Sequence, residues 1–347
     1  MIGTMQSSVL LIFTGGTISM GENPDTQSLA PLDSAQVLSF IPELQMLHVD
    51  ISSVSFMPLI DSSDMQPDEW TRIAETIRDN YDHFDGFVVL HGTDTMAYSA
   101  SALSFMLENL TKPVIFTGAQ LPVGVLRSDA KENLITAIEL AAAKDEFGNA
   151  RVPEVCLFFE DKLMRGNRTT KRNTEEFNAF ASFNYPELAK TGVHIKYALP
   201  AIHRDTIPKP FSIQTQLDTH IAILKLFPGI GEETVRTILS ISGLRAVVLE
   251  SFGAGNAPRS EWLFRLLKAA DDRGIVIVNI TQCRAGSVEM GRYETSVNLQ
   301  RAGVVSGNDM TLEAAVAKLM YLLGQHTDSQ QVKRYMQLSL RGEMTIN

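Results

Sequence analysis

Two cysteines in 347 residues, Cys156 and Cys283, leave no basis for a disulfide-stapled scaffold. Both lie in or beside apolar runs, which predicts two reduced thiols. Residues Met1 to Ser8 carry no lysine or arginine ahead of an apolar segment, so no secretory signal is expected and the location reads as cytoplasmic. No run of about 18 apolar residues occurs, which leaves no transmembrane helix to expect. Positive charge is in deficit: 30 Lys and Arg against 40 Asp and Glu, a net charge of −10. Nucleic acid and anionic membrane both demand basic patches, so neither is an expected partner. His-Glu-x-x-His and Cys-x-x-Cys are absent, and no metal is expected. The phosphate-loop and Gly-x-Ser-x-Gly patterns are missing as well. Gly253-Ala254-Gly255 falls short of a dinucleotide fingerprint because Pro258 stands where its third glycine belongs. The seven histidines are scattered, as structural or surface histidines are. No cofactor is expected.

What the chain does have is a repeated pairing of buried strands with polar, glycine-bearing ends. Val9 to Phe13 is a continuous apolar run, as a strand buried on both faces requires, and it ends in Thr14-Gly15-Gly16-Thr17. Phe87 to Leu90 repeats the arrangement and ends in His91-Gly92-Thr93-Asp94-Thr95. Further strands are expected near residues 49–59, 113–116 and 155–159. Helices are expected from Asp33 or Ser34 to about 46, over 67–84, over 96–110 with Asp94 or Thr95 as its cap, and over 128–144. Such β-α alternation predicts a two-domain α/β protein: a larger N-terminal domain with a mostly parallel sheet and flanking helices, then a smaller Rossmann-like α/β domain. The expected boundaries are 1–190 for the catalytic domain, 191–216 for a proline-rich connection and 217–347 for the second domain. In the latter, strands near 221–227, 246–250 and 275–280 alternate with helices at 232–240 and 261–272, and helices over 311–323 and 329–340 close the chain. The polar stretch from Gly21 to Asp33 reads as a lid over the Thr17 turn.

Hydroxyls and one acid at the carboxyl ends of strands form a candidate site, because open α/β sheets bind ligands there. A threonine hydroxyl becomes a nucleophile only when a neighbour takes its proton. Thr17, Thr93 and Asp94 supply hydroxyls and a carboxylate, and Lys171 would complete a hydroxyl–amine–carboxylate relay. Taken alone, Lys171 within Arg168-Thr169-Thr170-Lys171-Arg172 reads as a solvated basic loop.

Together, Thr14-Gly15-Gly16-Thr17-Ile18, His91-Gly92-Thr93-Asp94-Thr95 and Arg165-Gly166-Asn167-Arg168-Thr169-Thr170-Lys171 resemble the bacterial-type L-asparaginase family, in particular its cytoplasmic type I branch. Asp61-Ser62-Ser63-Asp64, Thr117-Gly118-Ala119-Gln120, Gly255-Asn256-Ala257-Pro258 and Thr281-Gln282-Cys283 extend the likeness over nearly the whole chain. The resemblance implies hydrolysis of L-asparagine to L-aspartate and ammonia through a threonine acyl-enzyme, with no metal or cofactor and with assembly into homodimers or homotetramers. It implies Thr17 as nucleophile, with Thr93, Lys171 and Asp94 as the proton-relay group. Substrate would be held by Asp61, Ser62, Ser63, Thr93, Asp94 and Ala119: Ser62 on the α-carboxylate, Asp94 on the α-ammonium, and the Ala119 carbonyl on the amide nitrogen. Asn256 would face a neighbouring subunit's site.

One departure stands out. Members of the family usually carry a tyrosine in the lid, and between Thr17 and Asp33 this chain has none; Leu29 or its neighbours stand there. Some cytoplasmic members bind a second, activating asparagine near the dimer contact, at a site whose matching positions here include Thr170, next to Lys171, and Cys283; those members carry an arginine where this chain has Glu250. A glutamate would repel an effector carboxylate that arginine grips. Two other readings compete. One is the ammonia-releasing subunit of a tRNA amidotransferase, which carries an added N-terminal module ahead of the core motif that begins here by residue 9. The other is a non-catalytic amino-acid sensor.

Overall fold

The structure, a computed structural model, describes residues 6–22, 29–204, 209–291 and 294–346. They fall into two compact units, Met1–Thr215 and Gln216–Asn347.

In the first unit the continuous apolar runs become the interior of an eight-stranded sheet. Five strands are parallel: Ser7–Gly15, Val49–Ile60, Gly86–Leu90, Val114–Thr117 and Val155–Phe159. Counted along the chain, they lie in the spatial order second, first, third, fourth, fifth. Ser7–Gly15 therefore pairs with Val49–Ile60 on one side and Gly86–Leu90 on the other, with Val9 opposite both Ile51 and Gly86. This is where the strand order reverses, and connections leaving such a point in opposite directions open a crevice at the carboxyl ends. Val9, Leu11, Val88, Leu90, Ile115 and Phe158 form the buried centre.

Several elements differ from the sequence expectations, each for a local reason. The helix expected from residue 34 to 46 is split: Ser34–Ser39 carries a capping box between Asp33 and Gln36, and Pro42 then opens a separate 3-10 turn, Pro42–Met46. The helix Met96–Met106 stops before residue 110 because Leu107–Glu108 turns extended and pairs with Ser212–Ile213. That pairing ties part of the 191–216 stretch to the first unit, and Lys196–Tyr197 joins it there by pairing with Ala189–Lys190 at the sheet edge. Lys162–Arg165 is an antiparallel strand that the sequence reading does not contain. Met20–Glu22 pairs antiparallel with Leu29–Pro31, and the remainder of the expected lid, residues 23–28, lies outside the described residues.

The second unit holds four parallel strands in chain order, Ile221–Lys225, Ala246–Ser251, Val276–Thr281 and Val305–Ser306. Helices Glu232–Leu239, Glu261–Asp272, Leu312–Gln325 and Ser329–Met336 accompany them, and Glu294–Arg301 is a helix the sequence reading missed. Its C-terminal tail is held by a fully buried ion pair. Lys318 Nζ lies 2.6 Å from the Glu343 carboxylate, which also accepts the N–H groups of Leu340 and Arg341. Among the described residues of the chain, no helix is long and apolar enough to cross a membrane.

Candidate active site

Glycines bring the strand ends together at the reversal point. Gly15 and Gly16 adopt φ of 138° and 82°, a region side chains rarely enter. A Cβ added at Gly16 would stand 2.3 Å from Gly92 Cα, and one at Gly92 would stand 2.4 Å from Ser62 Oγ. Three turns separated by 30 or more residues therefore touch through positions that carry no side chain. Thr17 and Thr93 are the next residues after two of these contacts. The two threonines of the first motif separate in role. Thr14 is buried and donates from Oγ1 to the Leu90 carbonyl at 2.8 Å, which clamps the first strand to its neighbour. Thr17, itself half-buried, opens the 3-10 turn Thr17–Ser19, closed by the Ser19 N–H on the Gly16 carbonyl.

Lys171 reaches this place from a short hairpin. Thr170–Lys171 pairs with Phe180–Ala181, just after the turn Gly166–Arg168, whose three residues are all buried. The hairpin's base is anchored by Arg165, which donates from Nε to Glu154 Oε2 at 2.5 Å and from Nη2 to the Ala201 carbonyl at 2.9 Å. Lys171 Nζ donates to Thr93 Oγ1 at 2.9 Å and to Asp94 Oδ1 at 2.7 Å. The lysine read in isolation as a solvated loop charge is thus mostly buried, although the Asp94 carboxylate keeps 63% of its side-chain exposure.

The remaining predicted residues divide. Ser62 is 3% exposed, and its carbonyl accepts from Thr95 Oγ1 at 2.6 Å. Thr95 stands at the cap position of Met96–Met106 without bonding its backbone, so its hydroxyl ties two turns together instead of capping the helix. Asp61 and Ser63 are exposed and turned on each other: the Asp61 carboxylate accepts both the N–H and the hydroxyl of Ser63, each at 2.9 Å. Those bonds, the backbone one foremost, hold Asp61 below the usual carboxylate range. Ala119 is buried in a loop fixed from several sides. Thr117 Oγ1 donates to the Phe158 carbonyl, Asn133 Nδ2 to the Gly118 carbonyl, and the Gln120 N–H to the Asp129 carboxylate.

The sequence reading missed Gln120. Its Oε1 accepts from Thr93 Oγ1 at 3.3 Å, while its Nε2 donates to the Glu176 carbonyl at 3.1 Å. The available signal was its place in Thr117-Gly118-Ala119-Gln120, at the end of a buried strand beside the other two.

His91 is fully buried, with its ring nitrogen Nδ1 2.7 Å from the Gly92 carbonyl. Burial pushes its pKa down to about 4, against the opposing bond to Gly92. An unfolded histidine takes up a proton near pH 6.5, so between 6.5 and 4 the unfolded chain binds more protons than the folded one. Acidification through that window should cost about 3 kcal/mol of stability through this residue. Denaturant unfolding of wild type and His91→Asn at pH 7 and pH 4.5 checks this: wild type should lose more stability than the variant. Parallel losses would show that His91 does not titrate in this way.

Among the described residues, no cluster of three or more His, Cys, Asp or Glu side chains could hold a metal ion. Two family models match the chain: Asparaginase, N-terminal, over residues 8–203, and Glutaminase/Asparaginase C-terminal domain, over residues 220–336. The chain belongs to the asparaginase family. It is 45% identical over 347 residues to L-asparaginase 1 of Escherichia coli K12, covering 98% of both chains. It is 41% identical to the 60 kDa lysophospholipase of Homo sapiens, covering 97% of this chain and 61% of that one. Among solved structures, L-asparaginase I of Vibrio cholerae superimposes with a TM-score of 0.89 at 43% identity, covering 98% of this chain and 100% of that one.

The residues predicted as nucleophile, proton relay and substrate anchors all lie within the asparaginase N-terminal match. Within the C-terminal match, Glu250 is buried and its carboxylate accepts from Lys225 Nζ at 3.4 Å. Cys283 is exposed just past Val276–Thr281, with its N–H on Thr281 Oγ1.

Proposed function

We propose that this asparaginase-family protein hydrolyses L-asparagine to L-aspartate and ammonia, with Thr17 as nucleophile. The observation that carries the reading is the Lys171 ammonium held on Thr93 and Asp94, beside the Gly16–Gly92 contact that brings in the Thr17 turn. Thr17 Oγ1 attacks the amide carbon, and its proton is passed by way of Thr93 and Lys171 to the departing nitrogen, which leaves as ammonia. Water then adds to the threonine ester, the ester bond breaks, and a proton returns to Thr17. Lys171 donates to Thr93 in the resting arrangement, and Thr93 donates to Gln120. The pair acts as a base only after Lys171 has handed a proton to the Asp94 carboxylate, 2.7 Å away, and the Thr93 hydroxyl has turned toward the freed amine. Backbone N–H groups at the glycine turn or at Thr93 meet the developing oxyanion. The Ser62 hydroxyl can donate to the α-carboxylate of a zwitterionic amino acid and the Asp94 carboxylate can accept from its α-ammonium, while the Ala119 carbonyl accepts from the amide. Ammonia release from asparagine by the purified protein tests the reading directly; binding without release would favour a sensor.

Fixed anchors also set the distance to Thr17. Glutamine's extra methylene misplaces its amide carbon, and a displacement of about 1 Å can cost roughly 100-fold. Asparagine should therefore have the higher kcat/KM by about that factor, and equal values for the two amides would show that the pocket adapts. Glu250, paired with Lys225, stands at the position to which the family resemblance assigns an effector-gripping arginine, and a carboxylate there would repel the effector's own. The rate should accordingly rise hyperbolically with asparagine; a Hill coefficient clearly above one would contradict this. The reading also includes a cytoplasmic location and assembly into homodimers or homotetramers, which sedimentation would check.

A further inference from the structure

The buried face of the Thr93 turn carries a string of hydrogen bonds whose directions follow from chemistry alone. The Gly92 carbonyl can only accept, so His91 Nδ1, 2.7 Å away, carries a proton and donates it. The indole Nε1–H of Trp70 can only donate, and it does so to Ser99 Oγ at 2.8 Å. Ser99 Oγ lies 2.8 Å from His91 Nε2. In a neutral ring protonated at Nδ1, Nε2 is an acceptor, so the Ser99 hydroxyl donates to it. Trp70, Ser99, His91 and the Gly92 carbonyl thus form one directed chain, and it selects a single tautomer. His91 and Ser99 are 0% exposed and Trp70 is 5% exposed, so water does not compete for these groups. The ring is also held edge-on to Phe116, at 5.9 Å between centroids.

The chain ends on a peptide whose other side, in the acyl-transfer reading above, faces the reaction. The Gly92–Thr93 bond is trans, so its C=O and N–H point in opposite directions. Drawing the Gly92 carbonyl inward to His91 turns the Thr93 N–H away from the imidazole. A peptide whose carbonyl accepts a strong bond also has a more polarised N–H.

We propose that His91 is a positioning residue for the amide hydrolysis: by donating to the Gly92 carbonyl it sets the plane of the Gly92–Thr93 peptide and aims the Thr93 N–H at the developing oxyanion. Trp70 and Ser99 hold the imidazole in the one tautomer that can do this. The inference rests on the acyl-transfer reading above. It assigns His91 no contact with substrate and no proton transfer.

Two substitutions separate the donor from the rest of the ring. In His91→Asn the side-chain amide stands near the position of Nδ1 and keeps the bond to Gly92, while the contact with Ser99 is lost. In His91→Gln the amide reaches toward Ser99, and the bond to Gly92 is lost. The expected result is a kcat for L-asparagine within about twofold of wild type in His91→Asn, and roughly tenfold lower in His91→Gln, as fits the loss of one orienting hydrogen bond. KM should change little in either. The Kd for L-aspartate, which binds without forming an oxyanion, should match wild type in both. A purely structural role would lower both variants in proportion to their loss of thermal stability and would not give this order. Equal kcat in the two variants, or a loss expressed in KM and aspartate affinity, overturns the proposal. Because either variant can fail to fold, 15N-histidine NMR of the wild-type protein supplies an independent check: a neutral His91 bearing its proton on Nδ1 is expected, and an Nε2–H tautomer overturns the proposal. Absence of ammonia release by the wild-type protein would instead remove the reading on which this inference rests.

Discussion

Replacing Thr17 by alanine should abolish ammonia release from asparagine, lowering kcat by on the order of 10⁴-fold or more. Thermal unfolding and asparagine binding should stay near wild type. Activity falls that far because the covalent route disappears, and the substrate anchors and oxyanion donors that remain give only the residual catalysis they can supply without a nucleophile. Stability is spared for a structural reason. The turn Thr17–Ser19 closes through its backbone, Ser19 N–H on the Gly16 carbonyl, and the hydroxyl that braces the strands belongs to Thr14. Turnover above a tenth of wild type in the variant would show that another group attacks the amide.

Thr93→Val and Lys171→Met should each lower kcat by roughly 10²- to 10⁴-fold, the range over which positioned acid–base groups act. The double variant should be little worse than either single one. Thr93 Oγ1 and Lys171 Nζ share a 2.9 Å hydrogen bond, and a relay broken at one link has nothing further to lose at the next. Neither change should weaken the fold greatly. The Lys171 bridge ends on a carboxylate that is 63% exposed, and ion pairs of that kind contribute about 0–1 kcal/mol. Asp94→Ala should differ by raising KM as well, since Asp94 also anchors the substrate ammonium. If the separate losses at Thr93 and Lys171 multiply in the double variant, the two residues act independently and there is no relay.

The parallel strands and the glycine turns at their ends are legible in the sequence because each is a local pattern. An apolar run of five residues marks a buried segment, and Gly15-Gly16 permits the sharp positive-φ bend at the strand's end. The same locality lets Asp33 and Gln36 mark a helix start. Pairings over long distances leave no such mark. Lys162–Arg165, Ala189–Lys190 and Lys196–Tyr197 are short strands at one side of the sheet, the last of them outermost, whose partners, and not their own composition, make them strands. The candidate site divides in the same way. Thr17, Thr93, Asp94, Ser62, Ala119 and Lys171 can be named from their motifs, with family likeness lifting Lys171 out of an otherwise ordinary basic loop.

By itself, then, the sequence determined which residues end buried strands and which positions have no side chain to block a close approach. Only the tertiary structure decided which of those ends meet, because the order of strands in the sheet depends on packing across the whole unit. It alone set Gly16 against Gly92 and Gly92 against Ser62. It alone committed Gln120 to Thr93 across 27 residues of chain, whereas the Asp61 carboxylate is satisfied locally by Ser63, two residues on. The state of His91 was beyond sequence reasoning for the same cause: a histidine's tautomer is chosen by the groups on its two nitrogens, and here one of them, Ser99, comes from a helix that packs against it only in the folded chain.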